Sequence, residues 1–342
     1  MGIQGLLPFV EKSTRKVNVS EFSGCTVAVD AYCWLHKGAF SCAEKLARKE
    51  DTVQYVVYCM KYINMLLSHN IKPILVFDGQ HLPAKAETEK VRREKRESNR
   101  QKAAELLRAD RGDEARTYLQ RCVDVTHAMA LALIKECRLR NVDCIVAPYE
   151  ADAQLAYLNL SGIAHLVITE DSDLLPFGCN MVLFKMDVHG NGCLIEQAML
   201  PLAMKQRPEQ FSITKFRHMC ILSGCDYLPS LPGIGLMKAK KFVMTTADPD
   251  ISRALTRLHG HLNMPNLVVT PEYRQKFLEA DAMFRHQPVF DPITRRLVPL
   301  TPLEPGQEMP LSIDGISQET ALQLAYGNLD PFGLRKVDDW DP

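Results

Sequence analysis

Leu166-Val-Ile-Thr-Glu-Asp-Ser-Asp173 is the stretch of sequence that decides the fold. It opens with apolar residues, as a strand buried on both faces of a parallel sheet does, and acidic residues follow at once. The same arrangement recurs in residues 26–30, 74–78 and 144–152. Helical patterns lie between these strands, for example in residues 53–67, where apolar residues repeat every three or four positions. Strands that alternate with helices predict a doubly wound α/β sheet.

Each of the four predicted strands runs directly into acid. In an open parallel sheet, ligands bind in the crevice outside the carboxyl ends of the strands. A single acid at such a place is often only a helix N-cap or a first-turn residue. Because all four strands show it, we interpret the acids as one functional group, made of Asp30, Asp78, Glu150, Asp152, Glu170, Asp171 and Asp173.

So many carboxylates in one crevice would repel each other and have raised pKa values unless cations neutralised them. Oxygen ligands without His or Cys favour Mg²⁺, with Mn²⁺ as a substitute. The pairs Glu150/Asp152 and Asp171/Asp173 are spaced closely enough to share two ions, which can activate water and stabilise the leaving oxygen of a phosphodiester. The pattern predicts metal-dependent phosphoryl hydrolysis. A phosphatase with an aspartyl nucleophile is disfavoured, because the first strand lacks Asp-x-Asp-x-Thr/Val.

Length and composition set the broad class. The 342 residues suffice for two lobes or one large α/β body, and 46% apolar residues allow a substantial core. The sequence contains no run of eighteen apolar residues and no secretory signal pattern at its start, so we expect neither a membrane span nor secretion. The eleven cysteines form no CxxC pair, which favours free thiols in a reducing compartment over a zinc site or a disulfide framework.

Charge is balanced overall but unevenly distributed. Residues 85–102 contain eight Lys/Arg against four Glu, whereas residues 304–341 contain eight acids against two bases. Residues 82–122 are either a solvated helix with i,i+4 ion pairs or a helical excursion that holds phosphates, and the basic excess favours the second. After about Asn191 we expect helices to replace strands, and the proline-rich residues 288–310 predict an extended segment over the surface.

Leu231-Pro-Gly-Ile-Gly235 resembles the hairpin of a helix-hairpin-helix motif. The glycines Gly233 and Gly235 would let backbone N–H groups approach a DNA phosphate, and the N-terminus of the next helix favours an anion. Lys238, together with Lys240 and Lys241, would add positive charge. A Gly-x-Gly alone is explained equally well by a plain turn between helices, but here it accompanies an acidic crevice. Such contacts read no base sequence, so binding should be structure-selective and salt-sensitive.

Six motifs together resemble the flap endonuclease/XPG family of 5′ nucleases, in the family's order and over essentially the whole chain. They are Met1-Gly-Ile-Gln-Gly-Leu6, Val27-Ala-Val-Asp30, Pro73-Ile-Leu-Val-Phe-Asp-Gly79, Ala147-Pro-Tyr-Glu-Ala-Asp-Ala-Gln154, Thr169-Glu-Asp-Ser-Asp-Leu174 and Leu222-Ser-Gly-Cys-Asp-Tyr227. Three further stretches are most similar to the family's eukaryotic exonucleases: Tyr32-Cys-Trp-Leu-His-Lys-Gly38, Leu66-Leu-Ser-His69 and Phe177-Gly-Cys179. The resemblance implies a catalytic region without a long C-terminal tail.

The resemblance also implies roles for individual residues. It removes Glu170 from the metal ligands and adds Asp226, which lies outside the strand pattern. The seven implied ligands are Asp30, Asp78, Glu150, Asp152, Asp171, Asp173 and Asp226. Lys85 and Arg92 would approach the scissile phosphate as basic residues of a helical arch.

The remaining implied residues bind DNA or an ion. Tyr32 and His36 would pack against the nucleotide beside the cut, and the processed Gly2 would lie near the active site. The duplex-binding hairpin would contain Gly233, Gly235 and Lys238. A K⁺ ion between protein and phosphate would use Ser223, Ser230 and the carbonyl group of Ile234. This chain departs from the family pattern at Pro229 and Pro232, which flank the hairpin.

The implied architecture is an α/β, PIN-like, doubly wound nuclease core in residues 1–200 that includes a helical arch at about 81–128. A helix–two-turn–helix DNA-binding region would occupy residues 201–287, and residues 288–342 would pack back on the core. A wedge formed by residues 34–46 would bend the duplex at a nick or junction.

The implied activity is 5′-to-3′ exonuclease action on double-stranded DNA with 5′ flap endonuclease activity, two Mg²⁺ ions and 5′-phosphorylated products. The substrates would carry a nick, a gap, a recessed 5′ end or a 5′ flap. A monomer in the nucleus would act in mismatch repair and recombination, and would bind mismatch-repair proteins mostly through the tail. The alternatives are a flap endonuclease proper, a catalytically silent DNA-binding scaffold and an RNA nuclease. The sequence near the C-terminus contains no clamp-binding peptide of the form Gln-x-x-(apolar)-x-x-aromatic-aromatic, which counts against a flap endonuclease proper.

Overall fold

The computed structural model describes residues 2–306, 309–311 and 316–341. In these ranges strands and helices alternate in a mixed α/β fold with a mostly parallel sheet, as the sequence predicts. The strands are β1 (Thr14–Asn18), β2 (Thr26–Asp30), β3 (Lys72–Phe77), β4 (Asp143–Val146), β5 (Leu166–Thr169), β6 (Met181–Phe184), β7 (Asn191–Glu196), β8 (Pro288–Asp291) and β9 (Arg296–Pro299).

The helices vary from single turns to the long α5. They are α1 (Leu6–Phe9), α2 (Ala31–Ser41), α3 (Ala43–Ala47), α4 (Gln54–Ser68), α5 (Ala86–Arg108), α6 (Gly112–Arg121), α7 (His127–Leu139), α8 (Ala151–Leu160), α9 (Leu174–Phe177), α10 (Leu200–Met204), α11 (Ile213–Ser223), α12 (Leu236–Thr245), α13 (Ile251–Leu255), α14 (Leu258–His261), α15 (Pro271–His286) and α16 (Gln318–Ala325). Among the residues that the structure describes, no helix is both long enough and apolar enough to cross a membrane.

The chain divides into two compact units, and each is built from several stretches of sequence. The first unit consists of Met1–Val17, Asp152–Met186 and Gly192–Gln318. The second unit consists of Asn18–Ala151, Asp187–Asn191 and Glu319–Pro342.

Strands β2, β3 and β4 form the sheet of the second unit. Both pairings are parallel, with Ala28 opposite Ile74 and Val76 opposite Ile145. Strands β2 and β3 are buried along most of their length and β4 over its last two residues, because helices cover them, as parallel sheets require. Helices α2 and α4 also pack closely against each other at Gly38. A Cβ atom at this position would lie 2.9 Å from the backbone of Tyr55 in α4.

In the first unit, β5 pairs in parallel with β6, and β6 pairs antiparallel with β7. The sequence prediction missed β1, β6 and β7. The expectation that strands end at about Asn191 is wrong, because β7 begins there and β8 and β9 form a later hairpin. Strand β1 contains no apolar run, since Val17 is its single apolar residue, and β6 is followed by Lys185 rather than by the acid that marks the predicted strands. Strand β8 is buried along its whole length, so this part of the proline-rich stretch is not an extended surface segment.

The charged residues 82–122 form α5 and α6, preceded by a short 3-10 helix, Pro83–Lys85. Helix α5 buries only Ala103 and Leu106. Ion pairs at i,i+3 spacing line its exposed side, such as Arg100 with Glu97 at 2.6 Å. Both interpretations of this stretch require a helix, so the helix itself does not decide between them.

A buried ionic network joins α11 and α15 in the first unit. The Asp281 carboxylate is 7% exposed and accepts hydrogen bonds from Arg217 Nε at 2.7 Å and Arg285 Nε at 2.9 Å. Burial opposes ionisation of Asp281, but hydrogen bonding from His218 and the charge of Arg217 prevail and hold its pKa below the usual range. This network fixes the helix that leads into the segment before Asp226.

We predict that Asp281→Asn destabilises the protein by about 3 kcal/mol or more at neutral pH, because it leaves buried guanidinium groups without their anion. Since the pKa of Asp281 is lowered by folding, its contribution is complete above the ordinary value of 3.8 and disappears as the pH falls below it. Urea denaturation of both proteins over a pH series measures this difference. Glu272→Gln is the control, because that exposed acid of α15 pairs only at the surface with Lys276. Equal stability of Asp281→Asn and wild type at neutral pH would contradict the prediction.

Candidate active site

Asp30 begins the acidic site in the second unit. It is the last residue of β2 and the N-cap of α2, where its Oδ1 accepts a hydrogen bond from the Cys33 backbone N–H at 3.1 Å. Its Oδ2 lies 2.7 Å from the Cys33 thiol. Asp30 is 5% exposed. Both the capping and the functional interpretation of this acid are therefore compatible with its position, because one carboxylate can serve both.

Backbone pairing joins the loop after β3 to the loop after β4. Gly79 N donates to the Tyr149 carbonyl at 2.6 Å, and Gln80 N donates to the Pro148 carbonyl at 3.0 Å. A Cβ atom on Gly79 would collide with the Ala147 carbonyl, so only glycine permits this approach. The Ala151 N–H then donates to Asp78 Oδ1 at 2.8 Å. The sequence motif after β3 thus places Asp78 beside the start of α8.

Asp78, Asp30 and Glu150 share one electrostatic environment. Burial, together with the charges of Asp30 and Glu150, raises the pKa of Asp78 to about 7, although the Ala151 N–H and Lys85 act in the opposite direction. Lys85 forms a short ion pair with Glu150, and both side chains are about nine-tenths buried. The arrangement holds three acids against one cation, and like charges of this kind favour the binding of a further cation.

The other residues predicted near the reacting phosphate lie in the second unit as well. Tyr32 packs edge-on against Phe77, and burial plus the negative charge of Asp78 raise its pKa. His36 is exposed one helical turn further along α2. Arg92 lies in α5 and pairs with Glu89 of the same helix at 3.0 Å. The structure therefore brings Lys85 to the acids, while Arg92 pairs with Glu89 inside its own helix.

Asp171 and Asp173 form the acidic cluster of the first unit, just beyond β5. They are 9% and 2% exposed. Asp173 Oδ1 accepts the Ile3 backbone N–H at 2.9 Å, and Asp171 Oδ1 accepts the Asp173 N–H at 3.0 Å. Gly2 has φ +85°, and a Cβ atom there would collide with both carboxylates. The N-terminal segment therefore packs against these acids, and a role of Gly2 at an active site stays a prediction.

Asp152 and Asp226 belong to the same unit. Asp152 is in the first turn of α8. Burial raises the pKa of the Cys179 thiol, and the negative charge of Asp152 raises it further. Asp226 lies in a short loop closed by a two-way backbone pairing of Cys225 with Leu228. Burial is the main cause of the raised pKa of Cys225, and the charges of Asp173 and Asp226 add to it. Asp226 and Asp173 therefore both lie close enough to Cys225 for their charges to act on its thiol.

The glycine hairpin has the backbone that its sequence predicts. Gly233 has φ +75° and Gly235 is the N-cap of α12. Lys238 is exposed, with Nζ 3.4 Å from Met264 Sδ. Lys240 is different, because its Nζ donates to the Ala203 carbonyl at 3.0 Å and lies over the Phe9 ring. The expectation that Lys240 adds to the DNA-binding charge is thus not supported, because its ammonium group is engaged inside the unit.

Of the residues predicted to bind K⁺, Ser230 lies beside the chain that follows Ser223. Gly224 has φ +101°, and a Cβ atom on it would lie 3.1 Å from the Ser230 nitrogen, so the chain around Ser223 approaches Ser230 closely. The Ser223 hydroxyl donates to the Cys220 carbonyl at 2.8 Å. Ile234 is buried, and its N–H donates to the Leu231 carbonyl at 3.0 Å. Binding of K⁺ by this group stays a prediction.

The acids are of the chemical type that binds a divalent metal ion, although the described residues contain no group of three or more that is arranged as a metal site. All seven provide carboxylate oxygen, which is the ligand type that Mg²⁺ prefers, and the two acidic groups contain no imidazole or thiolate ligand. The raised pKa of Asp78 is the observation that tests the fit, because it shows that the protein alone leaves this negative charge poorly compensated. A bound cation would relieve that cost.

Two features of the site were not visible in the residue pattern. Asp226 has no strand before it and was supplied only by the family resemblance. The Ile3 N–H group that holds Asp173 is a backbone contact across 170 positions, for which a sequence contains no signal. The Met1-Gly start was the only indication, and it acquired meaning only through the resemblance.

The sequence of this chain matches two domains of a known protein family. Residues 1–99 match the XPG N-terminal domain and residues 141–226 match the XPG I-region, and together these matches cover more than half of the chain. The mixed α/β fold with its mostly parallel sheet is the PIN-like fold of this family's nucleases. The chain belongs to the flap endonuclease/XPG family.

Among individual proteins, Exonuclease 1 of Drosophila melanogaster is 56% identical to this chain, and the match covers 100% of this chain. That match covers 47% of the fly protein, and the chain spans about half the length of the curated relatives it matches. The catalytic core of Rad2 in complex with DNA substrate shares the fold, with a TM-score of 0.60, 17% identity, and coverage of 82% of this chain and 85% of Rad2. The Holliday junction-resolving enzyme GEN1 in complex with product DNA and Mg²⁺ gives a TM-score of 0.57 at 20% identity, covering 85% and 66% of the two chains.

We predict that Asp78→Asn stabilises the metal-free protein at alkaline pH, by about 2–3 kcal/mol. Asn keeps the acceptor for the Ala151 N–H but removes the charge. Because folding raises the pKa of Asp78, the wild type loses stability as the pH rises from 3.8 towards about 7, and the variant does not. Urea denaturation in EDTA over this pH range measures the widening difference. Asp143→Asn, an exposed acid of β4, is the control, and parallel pH profiles for Asp78→Asn and wild type would contradict the prediction.

Proposed function

We propose that this chain is the catalytic region of a 5′-to-3′ double-stranded DNA exonuclease that also cleaves 5′ flaps and leaves 5′-phosphates. The observation that supports it most directly is that buried or half-buried carboxylates follow the ends of parallel strands, with Lys85 paired to one of them. The similarity to Exonuclease 1 supports the exonuclease assignment over a flap endonuclease proper.

The proposed metal ligands fall into two acidic groups, one in each unit. In the second unit the ligands would be Asp30, Asp78 and Glu150, and in the first unit they would be Asp152, Asp171, Asp173 and Asp226. We propose two Mg²⁺ ions, for which Mn²⁺ can substitute. When bound, they would supply a water of lowered pKa and positive charge at the leaving oxygen. The GEN1 complex with Mg²⁺ supports the use of this metal in the fold.

The basic residues would act on the phosphate. Lys85 lies at the start of the arch, where its ammonium group already faces a carboxylate. We propose that it and Arg92 offset the negative charge that develops on the phosphate during cleavage. Tyr32 and His36 would pack against the nucleotide beside the cut. They are four residues apart and so share one face of α2, the helix that begins directly after Asp30.

Substrate binding would begin at the hairpin. Gly233 and Gly235 would present backbone N–H groups to a phosphate of the duplex, with Lys238 beside them and K⁺ held by Ser223, Ser230 and the Ile234 carbonyl. The substrates would be duplexes with a nick, a gap, a recessed 5′ end or a 5′ flap. Contacts of this kind position the backbone and read no sequence. The three functional regions at residues 1–200, 201–287 and 288–342 are part of this proposal.

The biological setting is also proposed from the family. We infer a monomeric nuclear enzyme of mismatch repair and recombination, whose contacts with mismatch-repair proteins lie mostly outside this chain. The relatives extend well beyond the region that this chain matches.

We predict that Asp173→Asn abolishes cleavage, lowering the rate by at least about 1000-fold, while duplex binding survives. Asn can still accept the Ile3 N–H, so the local fold is kept. Digestion of a 3′-labelled duplex with a recessed 5′ end, with and without Mg²⁺, measures the rate and the direction. Glu170→Gln is the matched control, because Glu170 is the neighbouring acid outside the proposed ligand set. Normal digestion by Asp173→Asn would overturn the site assignment, and faster digestion of RNA than of DNA would favour an RNA nuclease.

We predict that Lys85→Met lowers the rate at saturating DNA by about 100-fold, because the phosphate loses a positioned cation. Duplex affinity should change little. Lys90→Met is the control for net charge, since Lys90 is exposed in α5, the helix that begins directly after Lys85. Single-turnover cleavage together with fluorescence anisotropy separates chemistry from binding. The same rate loss in both variants would show that Lys85 acts only through overall charge.

We predict that Lys238→Gln weakens duplex binding equally for unrelated sequences and reduces the slope of log K against log salt by about 0.9. Lys240→Gln should leave that slope unchanged and lower thermal stability instead, because the Ala203 carbonyl loses its donor. Anisotropy titrations over a series of KCl concentrations, with thermal denaturation, test both variants. A salt slope reduced by Lys240→Gln but not by Lys238→Gln would reverse the assignment.

A further inference from the structure

Helix α8 contains two amide side chains that are almost completely buried. Gln154 is 0% exposed and Asn159 is 3% exposed. A buried amide destabilises the fold unless its donor and its acceptor both have partners. Both conditions are met here, so the two side chains act as fixed points that tie α8 to other elements of the first unit.

Gln154 binds a single residue with both ends of its amide. Its Nε2 donates to the Phe290 carbonyl at 2.7 Å, and the Phe290 N–H donates to Gln154 Oε1 at 2.7 Å. Phe290 belongs to β8, whose residues are all buried. The side chain thus bonds to the backbone of β8 in the way that a neighbouring strand would, and it locks the β8–β9 hairpin against α8.

Asn159 anchors the other end of the helix. Its Nδ2 donates to the carbonyl groups of Ala164 and His165 at 3.1 and 3.0 Å, and its Oδ1 accepts the Asn180 N–H at 2.7 Å. These partners lie immediately before β5 and β6. The end of α8 is therefore held in register with the strand that leads to Asp171.

The two anchors together determine where Asp152 lies. Asp152 and Gln154 are two residues apart, so they project from nearly opposite sides of the helix. Asn159 is seven residues after Asp152 and lies on the same side as Asp152. Gln154 therefore holds the helix from behind, and Asn159 sets its position along its axis relative to β5.

We propose that Gln154 is a positioning residue that keeps Asp152 in place for metal binding, and that the β8–β9 hairpin belongs to the metal-binding machinery through it. This inference rests on the proposed function, in which Asp152 is a metal ligand. Gln154 itself touches neither metal nor substrate. Residues of this kind typically change metal affinity by about 10–100-fold when they are replaced.

The test compares Gln154→Met with wild type. Methionine fills similar space but can form neither hydrogen bond, so the helix loses its attachment to Phe290. Binding of Mn²⁺, measured by the electron paramagnetic resonance of the free ion, should weaken by at least about 10-fold. Gln154→Glu keeps the acceptor for the Phe290 N–H and loses the donor, so it should give an intermediate affinity. It also provides the measurement if the methionine variant does not fold.

Gln197→Met is the matched control. Gln197 lies in the same unit and donates one hydrogen bond from Nε2 to the Gly178 carbonyl at 2.8 Å, but it is outside α8. It should lose stability without a change in Mn²⁺ affinity. The proposal is overturned if folded Gln154→Met and Gln154→Glu bind Mn²⁺ within about twofold of wild type.

A DNA digestion in the same experiment keeps the two proposals apart. If wild type binds Mn²⁺ but does not digest DNA, the proposed nuclease function fails, and the comparison of Mn²⁺ affinities still decides the role of Gln154. If wild type digests DNA while the Gln154 variants bind Mn²⁺ normally, the positioning role alone is rejected.

Discussion

The repulsion among buried carboxylates is the constraint on which the rest of this structure depends. Asp78 experiences it directly, since burial and the neighbouring acids Asp30 and Glu150 raise its pKa to about 7. Such a group would be disfavoured in a protein selected for stability alone. The surrounding elements compensate locally, with Lys85 against Glu150 and backbone N–H groups directed at Asp78 and Asp173. The remaining negative charge is what makes a divalent cation a favourable ligand.

The same acids also serve the fold, and this double use explains their placement. Asp30 caps α2 and Asp173 holds the N-terminal segment through Ile3. In both cases the carboxylate accepts a backbone hydrogen bond that fixes a neighbouring segment. One acid can therefore cap a helix and also be a candidate metal ligand, so these two interpretations do not exclude each other.

Rigidity in the first unit comes from buried polar groups as well as from apolar packing. Asp281 binds two arginines between α11 and α15, and Gln154 and Asn159 fix α8. Polar anchors of this kind have directional bonds, so they define one register, whereas apolar contacts tolerate small slides. A site that must hold several oxygen ligands at set distances benefits from such directional support.

The sequence by itself determined the four central strands, the acids after them and the glycine hairpin, because each depends on local pattern. Apolar runs, turn glycines and strand-end acids are readable without knowledge of distant contacts. Strands β1, β6 and β7 were missed. Strand β1 has a single apolar residue, Val17, and β6 is followed by Lys185 instead of an acid, so neither shows the pattern of the predicted strands. Only the tertiary structure decided that Lys240 bonds inside the unit, that β8 is buried and that Gln154 binds Phe290. These facts depend on partners between 37 and 136 positions away, and a local pattern contains no information about which distant group a side chain will meet.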